Sequence, residues 1–442
     1  QPPMSADIAN LRHHLMARIG AADAVPARGV VKEVRGITLM ITLDDARVGD
    51  VCVLRLPSGE ERLAEVVGID GSNAVVSSFS DLRGISNLTQ VIPTHRPLSI
   101  AVGDHLLGEA LDAFGEGSRK RVSRDAVNRA VSSQPPPPMQ RSLISDRFET
   151  GIAVIDSMLT VGRGQRMGIF GGAGLGKSTL VSMLVNNSSF DVAVVGLVGE
   201  RGREVREFWE RHLSAETRRK TVLVAATSDR PAVERRLAAL TATTIAEGFA
   251  DKGLNVMLVV DSLTRFARAQ REIGLAAGEP PSRRGFPPST AGLLAELVER
   301  SGPQPRGSIT AFYSVLVEGE MEEDPIAEEL KALLDGHIVL SRKMSEAGTF
   351  PAIDVLASRS RLQTHLIGDQ ERSVSDHVRR LMARYRDIEL LLQIGEYRSG
   401  ADRVADEAIA KHDAILSCFT QGEHVHRPSA DVMAQLKHLV EG

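Results

Sequence analysis

The spacing of hydrophobic positions divides the chain into parts with different patterns. Between residues 29 and 91, short β-rich runs alternate with turn-forming residues, which predicts a small β-barrel or sandwich. Further toward the N-terminus, Ile8, Leu11, Leu15 and Ile19 have helical spacing. The β-rich runs are Val30–Val34, Leu39–Leu43, Val51–Arg55 and Leu63–Val67.

The middle of the chain contains uninterrupted apolar runs. Residues 167–170, 192–198 and 254–260 are almost entirely apolar, as expected of parallel strands buried on both faces. The last part is again helical in pattern over residues 377–392 and 401–419. One apolar stripe there comprises Leu381, Met382, Tyr385, Ile388 and Leu392. We therefore expect an α/β core between a β-rich N-terminal part and a helical C-terminal part.

These patterns predict four segments. They are a peripheral segment at 1–25, a β-barrel domain at 26–95, an α/β core at 96–375 and a C-terminal helical domain at 376–442. The four prolines at 135–138 suggest a stiff connector, although a ligand for a proline-binding module is an alternative.

Composition narrows the class of protein. The chain has 442 residues, too many for one compact core, and a formal net charge of -4, which argues against a large nucleic-acid surface. No apolar run approaches the ~20 residues that span a bilayer, and we expect no secretory signal. Cys52 and Cys418 lack metal-ligand spacing and suggest reduced thiols in the cytoplasm.

The segment from Gly171 to Ser178 fits the phosphate-binding loop pattern, a glycine and four residues followed by Gly-Lys-Ser. It lies between a predicted strand and a predicted helix, as that motif requires. Its backbone can wrap phosphates, Lys177 can reach the β- and γ-phosphates, and the Ser178 hydroxyl can bind Mg²⁺. The predicted nucleotide-binding residues are Gly172, Ala173, Gly174, Leu175, Gly176, Lys177, Ser178 and Thr179.

Two further predicted strands end in carboxylates. Asp261 closes the run at 254–260 and is the expected Mg²⁺-associated carboxylate, although it could simply cap the next helix. Glu200 follows the run at 192–198 and is placed to polarise the attacking water. Arg201 beside it could contact phosphate or position Glu200. A solvated charged turn is the alternative for the segment at 199–204.

These elements together resemble the catalytic subunits of the rotary ATPase superfamily, and most closely the type III secretion ATPases. The resemblance is carried by the segments at 150–156, 164–170, 199–205, 261–267, 335–342 and 351–356, in that order. It implies a P-loop NTPase core of the RecA-like, rotary ATPase type. A small N-terminal β-barrel and a C-terminal helical domain complete this α/β fold.

The resemblance also implies roles for individual residues. Glu200 falls on the family's catalytic glutamate. Arg361 falls on the arginine finger that completes a neighbouring subunit's site, and Phe350 on the aromatic that stacks against adenine. A second adenine-side aromatic should lie near residues 417–422, where Phe419 is the candidate. Without the resemblance, Arg361 would be an ordinary surface arginine and Phe350 a core phenylalanine.

The implied function is Mg²⁺-dependent ATP hydrolysis that energises type III protein export, with release of chaperones and unfolding of effectors. The implied partners are five other copies in a homohexameric ring, a central stalk protein, a peripheral stator or regulator, chaperone–effector complexes and the inner-membrane export gate. The loop at 281–289 would bear on the stalk, and the protein would lie in the cytoplasm at the inner membrane. Nucleic acid is not an expected partner.

Several alternatives remain open at this stage. The flagellar export ATPase and the catalytic subunit of a proton-translocating ATP synthase share the same chemistry. A helicase of the transcription-terminator type shares the ring core, but it would need aromatic and basic RNA-binding features, and aromatics are only 4% here. A non-catalytic nucleotide-binding ring subunit is disfavoured by Glu200.

Overall fold

The computed structural model describes residues 29–118, 123–319 and 321–441. These residues fall into two compact units that are joined between Leu98 and Ser99. The predicted segment at 1–25 and the helical spacing from Ile8 to Ile19 lie outside the described residues. Among the helices that the structure describes, none is both long and apolar enough to cross a membrane.

The first unit is a closed barrel with the strand order β1-β2-β5-β4-β3-β6. Inward-facing aliphatic side chains such as Leu39, Ile41 and Leu54 fill its interior and are fully buried. The prediction of a small β-barrel is therefore confirmed. The strands are β1 (Gly29–Arg35), β2 (Thr38–Thr42), β3 (Asp50–Arg55), β4 (Glu61–Asp70), β5 (Asn73–Ser78) and β6 (Gln90–Pro97).

The second unit is built on a central, mostly parallel sheet. Its order is β19-β18-β12-β17-β15-β13-β14-β8, and the short β16 pairs with β17. A separate pair joins β7 to β9 and another joins β10 to β11. The strands are β7 (Ser99–Val102), β8 (Ala110–Leu111), β9 (Val127–Ala130), β10 (Arg147–Phe148), β11 (Val161–Gly162), β12 (Arg166–Gly171), β13 (Val192–Glu200), β14 (Thr221–Thr227), β15 (Asn255–Asp261), β16 (Gly302–Pro303), β17 (Ser308–Leu316), β18 (Gly336–Val339) and β19 (Arg359–Ser360).

Helices pack against this sheet and enclose its central strands. Every residue of β13 from Val192 to Gly199 is buried, which explains why the strand is apolar throughout. The helices are α1 (Ala153–Met158), α2 (Lys177–Asn187), α3 (Gly202–Glu207), α4 (Ala215–Arg219), α5 (Ala232–Ala250), α6 (Leu263–Ala276), α7 (Ser289–Arg300), α8 (Pro325–Leu333), α9 (Arg342–Glu346), α10 (Gln363–Leu366), α11 (Asp369–Gln393), α12 (Arg403–Phe419) and α13 (Ser429–Glu441).

The C-terminal helices share a hydrophobic core with the sheet. Val378 and Leu381 of α11, Ile415 of α12 and Leu436 of α13 are buried in the same cluster as residues of β12 and α2. The apolar stripe predicted on α11 thus faces the core at Leu381 and Ile388. The domain boundaries stay predictions. The boundary after residue 95 lies three residues before the division at Leu98, and the boundary after residue 375 falls inside α11.

Candidate functional site

The phosphate loop connects the carboxyl end of β12 to the first turn of α2. Gly174 and Gly176 have φ angles of 78° and 82°, a conformation that side chains other than glycine rarely adopt. This turn exposes Gly174 and Ser178 while Leu175 packs into the core. The predicted residues 172–179 thus form one continuous loop and helix N-terminus, the local geometry that favours a phosphate anion.

Lys177, the first residue of α2, is nearly buried at 8% exposure. Its Nζ lies 3.5 Å from the carbonyl oxygen of Gly171, across the loop. Burial lowers the pKa of the Lys177 ammonium, whereas the nearby carboxylates of Asp261 and Glu200 oppose this effect. The sheet therefore brings the predicted lysine and both predicted carboxylates into electrostatic range of one another.

Asp261 is the last residue of β15 and is 5% exposed. Its Oδ1 atom is buried and has no hydrogen-bond partner among the described residues. Such an unsatisfied buried oxygen is costly unless a ligand or a cation completes it. Asp261 is therefore more than a helix cap, and Ser262 instead caps α6 by accepting a hydrogen bond from the Arg265 N–H.

Glu200 lies at the end of the neighbouring strand, β13. In the pairing of β13 with β15, Leu197 lies opposite Asp261. In the pairing of β13 with β14, the register shifts between Val198 and Glu200, so the regular pairing is interrupted at the end of the strand. The Glu200 side chain is only 14% exposed. Burial is the main reason that its pKa is raised to about 7, helped by the Asp261 carboxylate and opposed by Arg265. A carboxyl group poised near neutrality suits general-base catalysis.

Arg265, in the first turn of α6, forms an ion pair with Glu200. Gly199 makes room for it, because a Cβ atom there would stand 3.1 Å from Arg265 Cδ. The segment at 261–267 carries part of the family resemblance, but its pattern does not predict a role for Arg265. Arg265 lies in the helical turn that follows Asp261, and the pairing of β13 with β15 brings that turn beside Glu200. No local sequence pattern encodes this pairing.

Ser178, Glu200 and Asp261 open into one cleft of about 230 Å³. The cleft is narrow and acidic, and the α3 segment that follows Glu200 forms one of its walls. Glu204 of α3 also hydrogen-bonds to Glu200 and contributes to the raised pKa of Glu200. The other lining residues are Val181, Leu197, Glu207, Phe208 and His212.

Arg201 does not reach this cleft within the subunit. Its side chain is 79% exposed and lies 3.4 Å from Glu204. The position that sequence reasoning considered for Arg201, next to Glu200, is occupied by Arg265 instead. Arg201 is the N-cap residue of α3, and its backbone is extended. Its side chain points to solvent.

Phe350 lies against the phosphate loop. A Cβ atom at Gly176 would stand 3.3 Å from the Phe350 ring, and 37% of the residue is exposed. Phe419, by contrast, is 4% exposed and belongs to the hydrophobic core. The segment after Phe419 still reaches this side, because the Gln421 N–H donates to the carbonyl oxygen of Phe350 at 2.9 Å.

Arg361 lies far from the loop of its own subunit. Its N–H donates to the carbonyl oxygen of Asp335, and the Asp335 N–H donates to that of Arg166, which is the first residue of β12. The loop begins beyond the opposite end of this strand, roughly 17 Å away at ~3.3 Å per residue. The structure thus brings together Lys177, Ser178, Glu200 and Asp261 and leaves Arg361 on another surface.

Comparison with known families covers most of the chain. Residues 151–360 match the nucleotide-binding domain of the ATP synthase alpha/beta family. Residues 31–95 match the beta-barrel domain of the same family. Residues 367–438 match the C-terminal domain of the type III secretion ATPase EscN.

Individual relatives agree with these matches. A type 3 secretion system ATPase of Xanthomonas euvesicatoria is 49% identical over 396 residues, which is 89% of each chain. A flagellum-specific ATP synthase of Bacillus subtilis is 42% identical and covers 91% of this chain and 93% of its own.

Two solved structures of EscN, from the type III secretion system of enteropathogenic E. coli, are also similar. The assembled ATPase has a TM-score of 0.88 at 42% identity and covers 93% of this chain and 100% of its own. The complex of EscN with its central stalk EscO has a TM-score of 0.85 at the same identity and coverage.

Proposed function

The chain belongs to the family of type 3 secretion system ATPases, and we propose that it hydrolyses ATP at the carboxyl edge of its central sheet. It is an ATPase, and the hydrolysis energises protein export through a type III secretion system. The observation that supports this location most directly is the convergence of Lys177, Glu200 and Asp261 beside the phosphate loop.

Each group has a role that follows from its surroundings. The loop amides and Lys177 bind the phosphates, since Lys177 is a nearly buried cation at the start of a helix. Glu200 accepts a proton from the attacking water. Arg265 positions the Glu200 carboxylate through their ion pair. Phe350 provides an exposed aromatic face beside the loop, where the adenine ring can stack.

The residues present also fit a magnesium ion. Asp261 Oδ1 is buried without a partner among the described residues, and the Ser178 hydroxyl faces the same cleft. Hard oxygen ligands of this kind suit Mg²⁺, which takes few protein ligands when phosphates supply the others. When bound, the ion neutralises charge on the β- and γ-phosphates. Asp261 and Ser178 are the residues that would hold it.

The proposal extends to assembly. Arg361 is distant from its own loop, so we assign it to the site of the next subunit in a homohexameric ring. The similarity to the assembled EscN and to its complex with a central stalk supports a ring with a stalk partner. By family resemblance, the remaining partners are a peripheral stator or regulator, chaperone–effector complexes and the inner-membrane export gate. We place the ring on the cytoplasmic side of that gate.

Secretion is favoured over flagellar assembly by similarity. The secretion ATPase relative is 49% identical, whereas the flagellum-specific relative is 42% identical. The EscN C-terminal domain match over residues 367–438 points in the same direction. Chaperone release and effector unfolding are the steps that this ATPase would drive.

A replacement experiment tests the proposal. Lys177→Ala should abolish type III secretion when it replaces the native chain in its host, and the purified variant should bind nucleotide weakly. Lys437 is half-buried and lies 3.9 Å from the Glu441 carboxylate; Lys437→Ala supplies the matched control. Normal secretion with Lys177→Ala, or loss of flagellar motility without loss of secretion, would contradict the proposal.

A further inference from the structure

The short strand β19 directs its side chains to opposite sides. Ser360 is buried, where its hydroxyl donates to the carbonyl oxygen of Thr160 at 2.8 Å and accepts from the Gln165 amide at 3.0 Å. Arg359 precedes Ser360 on the strand and Arg361 follows directly after the strand; both are exposed and line the same cavity. The hydrogen bonds of Ser360 therefore hold the segment that carries the guanidinium groups of Arg359 and Arg361.

Strand β18 adds a histidine to the same side. His337 is the direct antiparallel partner of Arg359, and directly opposed residues on paired strands share a face. Its Nε2 atom lies 3.1 Å from the carbonyl oxygen of Ala357. The β18–β19 ribbon and the residue that follows it thus bring His337, Arg359 and Arg361 to one cavity.

This ribbon borders a cavity of about 550 Å³ whose lining is strongly basic. Lys331 of α8 and Arg379 of α11 also line it, and none of the described residues that line it is a carboxylate. Two nearby acids are engaged elsewhere: Asp335 pairs with Arg166 at 3.1 Å, and Asp354 accepts hydrogen bonds from two backbone N–H groups. A third, Asp376, only opposes the lowering of the Arg379 pKa that burial causes. The other lining residues are Leu356, Ala357, Ser358, Ser360, Gln363 and Thr364.

The cations in this cavity have no acidic partner in the part of the chain that the structure describes. Arg361 donates to the carbonyl oxygen of Lys331 at 2.9 Å, and Arg379 donates to two backbone carbonyls. Burial and the adjacent cations Lys331, Arg361 and Arg359 lower the pKa of His337. Like charges held this close repel one another unless an anion enters between them.

We propose that Arg359 is a second arginine that, together with Arg361, binds the phosphates of the nucleotide held by the neighbouring subunit. This rests on the proposed function, which places Arg361 in the next subunit's site. The two arginines line one cavity from successive exposed positions on either side of Ser360, so the two guanidinium groups can engage oxygens of different phosphates. Arg361 acts on the phosphoryl group being transferred, and Arg359 holds the bound nucleotide in the ground state.

The test is a set of substitutions at Arg359, whose side chain is exposed. Arg359→Gln should raise the KM for ATP about tenfold, the loss expected for one charge-assisted contact, and change kcat less than about threefold. Arg359→Lys should restore part of the lost affinity for ATP, since lysine keeps the positive charge but lacks the planar guanidinium group with its two parallel donors. Arg386→Gln, on the exposed side of α11, removes the same charge elsewhere and should leave KM unchanged.

Mixed rings show whether the contact crosses the subunit boundary. Chains with Arg359→Gln are combined with Lys177→Ala chains, and ring formation is followed by size. A Lys177→Ala neighbour donates an intact Arg359 to the intact phosphate loop of an Arg359→Gln chain, so a fraction of the active sites should regain the wild-type KM. Mixed rings that form but keep only the raised KM would overturn the proposal.

Further outcomes separate this inference from the proposed function. If wild-type rings hydrolyse ATP and Arg359→Gln leaves KM unchanged, this inference alone falls. If inorganic phosphate binds isolated subunits in an Arg359-dependent way while KM does not move, the cavity serves free phosphate and the proposal is overturned. A wild-type chain without ATPase activity would overturn the proposed function and this inference together.

Discussion

At the carboxyl end of β12, Lys177 is nearly buried and lies close to the carboxylates of Glu200 and Asp261. At the amino end of the same sheet region, Arg359 and Arg361 are exposed, and their cavity is lined by other cations. The first region balances its charges within one subunit. The second leaves positive charge uncompensated, at the surface.

The difference indicates how the work of catalysis is divided. Balanced, buried groups can be set in position before nucleotide arrives, and they polarise water at low cost of reorganisation. The uncompensated arginines need an anion that the subunit does not itself provide. If that anion is the neighbour's nucleotide, hydrolysis depends on assembly, and an isolated subunit stays nearly inactive.

The largest expected effect concerns Arg361. Arg361→Ala should lower kcat by roughly 10³–10⁵, the range for arginine fingers, while nucleotide binding in the same subunit persists. Specific activity of the wild type should rise with protein concentration as rings form. Mixing Arg361→Ala with Lys177→Ala chains should restore some steady-state activity. Inactivity at every mixing ratio, with mixed rings present, would place Arg361 outside the neighbour's site.

The balanced region should respond differently. Glu200→Gln is expected to lower kcat by about 10²–10⁴, and fluorescent-nucleotide titration should show binding close to wild type. Lys177→Ala should weaken binding itself. The exposed Glu216 provides the control Glu216→Gln, with unchanged turnover. Near-normal turnover in Glu200→Gln would remove Glu200 from catalysis.

The sequence predicted the elements whose signals are contiguous. The phosphate loop, the strands ending at Glu200 and Asp261 and the helix after the loop are each encoded within a few neighbouring residues. The barrel was predicted because its short strands alternate regularly with turns. In both cases local spacing carries the information, and the observed elements agree with the expectations.

Contacts between distant segments were not predictable in this way. The Arg265–Glu200 ion pair depends on β13 lying next to β15, which no local pattern encodes. The residue type of Phe419 does not show whether the side chain is exposed or buried. The packing of α12 decides this, and it buries Phe419 in the core. The shared cavity of Arg359 and Arg361 borders β19, which has only two residues and is too short for a recognisable period.

The raised pKa of Glu200 predicts a pH effect on stability. Its pKa of about 7 lies above the usual 4.5, so between these values the Glu200 carboxyl binds more protons in the folded chain than in the unfolded chain. The contribution of Glu200 to the free energy of unfolding should therefore fall as pH rises from about 4.5 to 7. Glu200→Gln cannot lose this proton, so its Tm relative to wild type should increase by about 2–4 °C across this window.

Thermal unfolding without nucleotide and with a chelator of divalent cations measures this, because bound phosphate or metal would change the charge at the site. Glu216→Gln should keep the pH slope of the wild type. If Glu200→Gln and the wild type had parallel Tm profiles between pH 4.5 and 7, the Glu200 carboxyl would titrate alike in the folded and unfolded chain. The contrast between buried and exposed charge at the two regions would then lose its main support.

The smallest expected effect concerns a third region, the exposed C-terminal end of α11. This helix end lies outside both the Lys177 region and the Arg359–Arg361 region. Leu390 and Ile394 are 66% and 59% exposed, an unusual exposure for two adjacent large apolar side chains on one helix end. We expect this surface to contact chaperone–effector complexes. Replacing both by Ser should lower complex binding several-fold in a pull-down and leave ATPase activity and Tm close to wild type, since little buried area is lost.

Val48, in the barrel and 64% exposed, gives the control Val48→Ser. Unchanged binding by the double variant would limit α11 to its packing role, and a parallel loss of ATPase activity would tie this helix end to the ring's catalytic regions instead.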